Sequence, residues 1–238
     1  MNLILFREDE IGHPLPLEDP RAIHIIGTLK RSPGDLFDIG IINGPRGKAR
    51  IRDIGEMELA LDYTLGQLPP PLHPLILIVG LPRPQSARQI LRDATTLGVE
   101  ELCFTITEKG EKSYVASRLW SGKEYERHLI AGAQQAFSTR IPSVRLFDSL
   151  AGCLESLPPD TERIALDNYE AKGSLSGYPF SPTPCALAVG SERGWARGER
   201  LLLIKHGFTL AAMGERVLRT ETACTAGIIL VLAGKGLI

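Results

Sequence analysis

Four cations alternate with uncharged residues along Arg46-Gly47-Lys48-Ala49-Arg50-Ile51-Arg52. On a strand, where successive side chains point to opposite faces, all four project from one side. Like charges side by side repel, so a row without an intervening acid calls for an anionic partner, most simply an RNA backbone. A solvated outer face is the competing reading, because strands often expose Lys and Arg. Lys30 and Arg31 extend the candidate patch. Two further segments, Val189-Gly-Ser-Glu-Arg-Gly-Trp195 and Ala212-Met-Gly-Glu-Arg-Val-Leu-Arg-Thr-Glu-Thr222, place glycines where an apolar run ends. Glycine lets a backbone approach a ligand closely and take positive φ, and ordinary turns use it for the same reason.

Other chemistries lack an anchor. Neither glycine segment matches GxGxxG, and nothing matches GxxxxGK[ST], so dinucleotide and P-loop readings are poorly supported. His13, His24, His73, His128 and His206 form no HExxH or other metal spacing, and no metal is expected. No GxSxG elbow supports Ser-His-Asp hydrolysis. Trp120 and Trp195 can stack on a base or pack in a core. Arg88 and Arg92, one helical turn apart, read as a solvated face.

The elements that must position these residues fall into two groups. Leu68-Pro-Pro-Pro-Leu-His-Pro74 holds the chain extended and removes backbone donors, which suits a linker; a stiff surface loop within one domain is the alternative. Before it, Ile39–Ile42 and Lys48–Ile54 flank a turn at Asn43–Gly47, and Ser32–Asp35 marks another turn. Short strands of this kind predict a small β-barrel or sandwich over 1–68. After the linker, from 72 to 238, strands alternate with helices. Leu75–Val79, Val99–Thr107, Arg163–Asp167, Ala186–Gly190 and Phe208–Met213 read as strands. Gln85–Leu97, Gly122–Phe137, Gly198–His206 and Thr220–Ala233 read as helices. This alternation predicts an α/β domain with a mostly parallel sheet, whose ligands bind at the carboxyl ends of the strands.

The whole-chain balance sets limits. Lys plus Arg number 27 against 28 Asp plus Glu, a net charge of −1, which argues against indiscriminate nucleic-acid binding. A hydrophobic fraction of 43% excludes a wholly disordered chain. No apolar run approaches the roughly 20 residues of a membrane span, and Met1–Glu10 lacks the basic region and cleavage site of a secretory signal. Cys103, Cys153, Cys185 and Cys224 lie far apart without a CxxC pair. A reduced, cytoplasmic protein is the plain reading.

Taken together, the segments resemble the ribosomal RNA uridine-N3 methyltransferases of the RsmE type, in the trefoil-knotted SPOUT superfamily. The carriers in the first domain are His24-Ile-Ile-Gly-Thr-Leu-Lys30 and Gly34-Asp35. In the second they are Ala94-Thr-Thr-Leu-Gly-Val99, Gln134-Gln135, Arg140-Ile-Pro142, Val189–Gly194 and Met213-Gly-Glu-Arg-Val-Leu-Arg-Thr-Glu-Thr-Ala223, the last being the most specific. The resemblance implies a PUA-like β-barrel that helps hold RNA, then an α/β domain whose C-terminal chain threads a knot, an exception to the usual rule against threading. It implies S-adenosylmethionine as cofactor, 16S ribosomal RNA as substrate and a homodimer.

By motif, the implied cofactor contacts are Leu166, Val189, Gly190, Ser191, Glu192, Gly194, Met213, Gly214, Val217, Leu218 and Arg219. Arg219 is the implied catalytic cation, favouring the uracil anion. Glu192 either accepts the N3 proton or holds the loop, and Thr220 is the expected cap of the last helix. The family pattern Gly-Pro-Glu-Gly-Gly is Gly190-Ser191-Glu192-Arg193-Gly194 here; a left-handed backbone at Arg193 would cost about 1–2 kcal/mol. Gln85 stands where a Lys is common, and Met1–Phe6 lacks the family's opening Arg. The alternatives are an RNA methyltransferase of the same fold with another target nucleotide, or an RNA-binding or assembly protein with weakened catalysis.

Overall fold

A computed structural model describes residues 3–238; Met1 and Asn2, part of the start read above, lie outside the described residues. The chain forms two compact units, the first running to Pro71 and including Ala133–Ile141, the second comprising Leu72–Gly132 and Pro142–Ile238. Gln134, Gln135 and Arg140, assigned from sequence to the second domain, therefore belong with the first unit.

In the first unit, strands β1 (Ile4–Phe6), β2 (Leu15–Pro16), β3 (Leu36–Ile41), β4 (Arg46–Ile54) and β5 (Glu58–Leu65) form one sheet in the order β1-β3-β4-β5-β2. β1 pairs parallel with β3 and the remaining pairs are antiparallel. Alternation explains the burial: Phe37 and Ile39 of β3, Ala49 and Ile51 of β4 and Leu59 and Leu61 of β5 enter one core. A short helix, α1 (Pro20–Ile23), is capped by Asp19, which accepts from the Arg21 N–H at 2.7 Å. Arg21 pairs with Glu10 at 2.6 Å and Asp19 at 2.8 Å, and these contacts hold both carboxyls below their usual range.

The second unit is built on seven strands, all parallel. They are β6 (His73–Gly80), β7 (Val99–Thr105), β8 (Ser143–Phe147), β9 (Glu162–Leu166), β10 (Gly173–Ser174), β11 (Cys185–Val189) and β12 (Thr209–Ala212), in the order β10-β12-β9-β11-β6-β7-β8. The longer helices are α2 (Pro84–Thr96), α4 (Tyr125–Gln135, whose last residues from Ala133 onward belong with the first unit), α6 (Arg197–Lys205) and α7 (Thr220–Gly234), with short α3 (Arg118–Ser121) and α5 (Leu150–Glu155) between them. β6 and β11 are continuous apolar runs because both faces are covered. Each of α2 and α7 buries one stripe, including Ala87, Ile90, Leu91 and Ala94 on α2 and Cys224, Ile228, Val231 and Leu232 on α7. Strand β8 and helix α5 escape the sequence reading: β8 keeps no residue fully buried, so its apolar signal is diluted.

All four cysteines are buried free thiols, and burial pushes Cys185 up to about 12. Among the described residues no helix is long and apolar enough to cross a membrane, and no group of His, Cys, Asp and Glu could hold a metal ion.

Candidate active site

A cavity of about 460 Å³ opens in the second unit. It lies where the sequence argument expects a ligand, beyond the carboxyl ends of β9, β11 and β12. Its walls carry Leu166, Val189, Gly190, Ser191, Glu192, Gly194, Met213, Val217, Leu218 and Arg219, so ten of the eleven cofactor positions named from sequence are brought together. Gly214 is the exception; it takes φ +96° in the turn leaving β12.

Each wall has a local cause. After β9, the buried Asp167 accepts from the Tyr169 N–H at 2.8 Å and the Glu170 N–H at 2.6 Å. Its other oxygen accepts from Arg200 Nε of α6 at 2.6 Å, an ion pair with both side chains buried. After β11, the Gly194 N–H donates to the Ser191 carbonyl at 2.8 Å and closes a turn. Gly194 is the left-handed residue of that turn, at φ +63°. Arg193 is not left-handed, so the strain expected for a side chain there is absent. A Cβ on Gly190 would lie 2.9 Å from Gly194 Cα, and one on Gly80 would lie 2.5 Å from Ser191 N. Both glycines are thus required by close backbone approach rather than by turn geometry.

Trp195 is buried and donates from Nε1 to the Leu166 carbonyl at 3.0 Å, tying the β11 loop to the end of β9. Packing, not base stacking, is its role; Trp120 is likewise buried, against Phe104 at 4.8 Å.

Glu192 Oε1 accepts from the Arg83 N–H at 3.0 Å, fastening the same loop to the start of α2. Arg83 Nε donates to Ser86 Oγ at 3.3 Å, and Ser86 Oγ donates to Glu221 Oε2 at 3.0 Å. The starts of α2 and α7 are thereby joined beneath the cavity. Arg219, not Thr220, occupies the cap position of α7; its side chain makes no capping bond, and Thr220 is a buried first helical residue. Arg83, Asp167, Arg216 and Glu221 also line the cavity. Arg83 is absent from the sequence-derived site residues; its place directly beyond β6, at the carboxyl edge where ligands of a parallel sheet bind, is the signal that points to it.

The cation row lies on β4 of the first unit. Ala49 and Ile51 are buried, and Lys48, Arg50 and Arg52 stand exposed on the opposite face. Neighbouring strands supply acids that reading along β4 cannot see. Lys48 Nζ lies 2.6 Å from Asp38 of β3, Arg50 is in register with Asp62 of β5, and Arg52 lies 3.9 Å from Asp62. Arg46 donates to the Phe137 carbonyl at 3.2 Å and sits 5.7 Å from that ring. The repulsion inferred from sequence is therefore partly relieved, while four bases still outnumber the two facing acids. Lys30 and Arg31 are exposed in the loop before β3, with Lys30 at φ +51°.

An all-parallel sheet with three loops folded around a cavity at its carboxyl edge defines the class to which this unit conforms. The family model described as "RNA methyltransferase domain" matches residues 69–232, so the unit is of the RNA methyltransferase class. The chain is 38% identical to ribosomal RNA small subunit methyltransferase E of Treponema pallidum, over 98% of this chain and 91% of that protein. It is 28% identical to ribosomal RNA small subunit methyltransferase E 1 of Borreliella burgdorferi, covering 97% of each. The crystal structure of a ribosomal RNA small subunit methyltransferase E from Neisseria gonorrhoeae, bound to S-adenosyl methionine, superposes with a TM-score of 0.77 at 22% identity, over 98% of this chain and 97% of that one. This chain belongs to the ribosomal RNA small subunit methyltransferase E family.

Proposed function

We propose that this chain transfers a methyl group from S-adenosylmethionine to N3 of a uridine in 16S ribosomal RNA. The observation that carries the reading is the cavity itself, which gathers the three loops of the family's motifs at one sheet edge. Its size falls within the roughly 300–1,000 Å³ of small-molecule sites. The residues present fit the cofactor's chemistry. Leu166, Val189, Met213 and Leu218 offer apolar walls, while Glu192 and Glu221 offer acidity toward a cation. The space beside Gly194 and Gly214 is open, since a Cβ at either would meet nothing within 4 Å.

When bound, S-adenosylmethionine supplies a methyl group made electrophilic by its sulfonium. The protein's part is alignment and charge. Uracil N3 is a good nucleophile only without its proton. The Arg219 guanidinium, exposed at the start of α7, stabilises the negative charge that spreads to the carbonyl oxygens. Glu192 is held through Oε1 by the Arg83 N–H, which supports its role as the residue that fixes the loop; proton acceptance rests on Oε2. The target base must leave its stack to reach the cavity.

The reading extends to the whole chain. A trefoil knot in the second unit is supported by the insertion of β11 between β6 and β9 while β12 lies outside β9. A PUA-like RNA-holding role for the first unit is supported by its separate sheet and the exposed cations Lys30, Arg31, Lys48, Arg50 and Arg52. Family membership supports a homodimer and a cytoplasmic location. Arg219→Ala is the direct test. It should retain S-adenosylmethionine binding by calorimetry and lose at least about 10²-fold in methyl transfer to undermodified ribosomal RNA, the usual scale for removing such a stabilising group. Wild-type turnover would remove Arg219 from the mechanism, and mass-spectrometric mapping of the product identifies the nucleotide and atom.

A further inference from the structure

Outside the cavity, the second unit concentrates positive charge where α2 meets the start of α4. Three guanidinium groups converge on one carboxylate: Arg127 at 3.4 Å, Arg88 at 3.6 Å and Arg118 at 3.7 Å, all from Glu124. Arg92, one turn beyond Arg88, is held extended by Gln89, to which its guanidinium donates at 3.0 Å. The neighbouring acid, Asp93, accepts from Gln89 at 2.8 Å and from Thr225 of α7 at 3.3 Å. Four bases against Glu124 and Asp93 leave an excess of about two charges at this spot, a local field that recruits anions. The two helices are close here: Thr96 Oγ1 donates to the Gly132 carbonyl at 3.2 Å, and a Cβ on Gly132 would lie 2.5 Å from the Arg92 carbonyl oxygen.

A second feature lies within the same cluster. His128 is 9% exposed, and its Nε2 is buried without a hydrogen-bond partner among the described residues. Burial, followed by the charges of Arg127, Arg92 and Arg88, holds this imidazole below its usual range. Buried polar atoms are normally satisfied, and one left unpaired carries a cost of about 1–3 kcal/mol. The imidazole's own nitrogen is closed to solvent, so an anion at the surface answers the surplus charge of the surrounding guanidinium groups. Guanidinium groups suit phosphate in particular, because their planar fork matches its oxygens.

The patch shares one rigid element with the functional site, on another face of the helix. Arg83 lines the cavity and caps α2, and at 1.5 Å per residue Arg88 and Arg92 follow it by about 7.5 Å and about 13.5 Å along the axis. We propose that Arg88, Arg92, Arg118 and Arg127 form a phosphate-binding patch that grips the backbone of the substrate RNA next to the methylated nucleotide. This rests on the ribosomal RNA methyltransferase reading and adds a contact surface in the second unit itself.

The test compares Arg92→Gln/Arg127→Gln with the charge-preserving Arg92→Lys/Arg127→Lys in the full chain. The probe is a small-subunit ribosomal RNA fragment containing the modified nucleotide, titrated over a range of salt. Each phosphate contact contributes roughly 0.7–0.9 to the slope of log K against log salt. The Gln variant should flatten that slope by about 1–2 and weaken binding about 10-fold at moderate salt. KM for RNA should rise, while kcat and S-adenosylmethionine affinity stay at wild-type values. The Lys variant should keep most of the slope, which separates charge from misfolding. A wild-type slope and affinity in the Gln variant would overturn the proposal. A changed oligomeric state with an unchanged slope would also overturn it, assigning the patch to a protein contact. Because binding is read without methyl transfer, a wild type that binds RNA through the patch but methylates none would overturn only the function proposed above.

Discussion

Asp167 has three partners and one exposed neighbourhood to organise. Its carboxylate receives two backbone N–H groups of the following turn and the Arg200 guanidinium, all at 2.6–2.8 Å, inside the protein. Arg200 also lies 5.1 Å from the Tyr169 ring, so one side chain of α6 braces both ends of the 167–170 turn against the cavity. Removing one member of a buried pair strands the other, at about 3–5 kcal/mol. Asp167→Asn should therefore lower stability to urea by that order. The amide can still accept from the turn, but its NH2 group faces Arg200 Nε donor to donor. Calorimetry should find weaker S-adenosylmethionine binding in the same variant, because Leu166, Asn168 and Tyr169 all line the cavity. Neither Arg88 nor Arg92 shares a contact with this turn, so the RNA salt slope should be unaffected.

At the level of elements, the site depends on two adjacent strand ends that come unusually close. Val79 of β6 and Val189 of β11 are paired, and the next residues, Gly80 and Gly190, bring the two backbones together. A methyl group at Gly80 would press on Ser191 N at 2.5 Å and Thr107 Cγ2 at 2.9 Å. A backbone atom cannot rotate away, so Gly80→Ala should displace the 190–194 loop and cost about 1–3 kcal/mol, as overpacking does. Gly173→Ala, where the added Cβ meets nothing within 4 Å, is the control. Thermal unfolding and cofactor titration of both variants check the expectation that only the first loses stability and binding together. These strands and helices were legible because burial on both faces of β6 and β11 writes continuous apolar runs, and α2 writes an apolar stripe at helical spacing. The glycine loops were legible as candidate ligand positions for the same reason, since they follow those runs. What stayed hidden depends on pairing between distant segments. Asp38 and Asp62 reach the β4 cations only once β3 and β5 are in register, and the Arg83 N–H meets Glu192 across 109 residues of chain. The cap of α7 moved by one residue, from Thr220 to Arg219, because local composition gives helix ends only to within a residue or two.

For the whole molecule, the near-zero net charge of −1 conceals local surpluses on β4 and along α2, and sequence order likewise conceals how the chain is divided. The first unit is completed by a segment that begins at Ala133, nearly seventy residues after its sheet ends at Leu65. Thr139, fully buried, donates from Oγ1 to the Gly44 carbonyl at 2.6 Å; its own carbonyl accepts from the Asn43 N–H at 2.8 Å. Ile141 N–H donates to Asn43 Oδ1 at 3.1 Å, and the Phe137 carbonyl accepts from Arg46. A chain cut at the proline stretch and begun at Leu72 therefore retains the parallel sheet and cavity but carries 133–141 without these partners. Buried polar groups that lose their partners destabilise by about 1–3 kcal/mol each, more than a short segment recovers by itself, so it should open locally. Limited proteolysis read by mass spectrometry should then cut between Ala133 and Ile141 in the fragment and spare that stretch in the full chain. Circular dichroism of the fragment should still report its α/β content. Equal resistance of the two chains would mean that 133–141 holds its shape within the second unit alone, and that the single boundary at the prolines describes the folding units correctly.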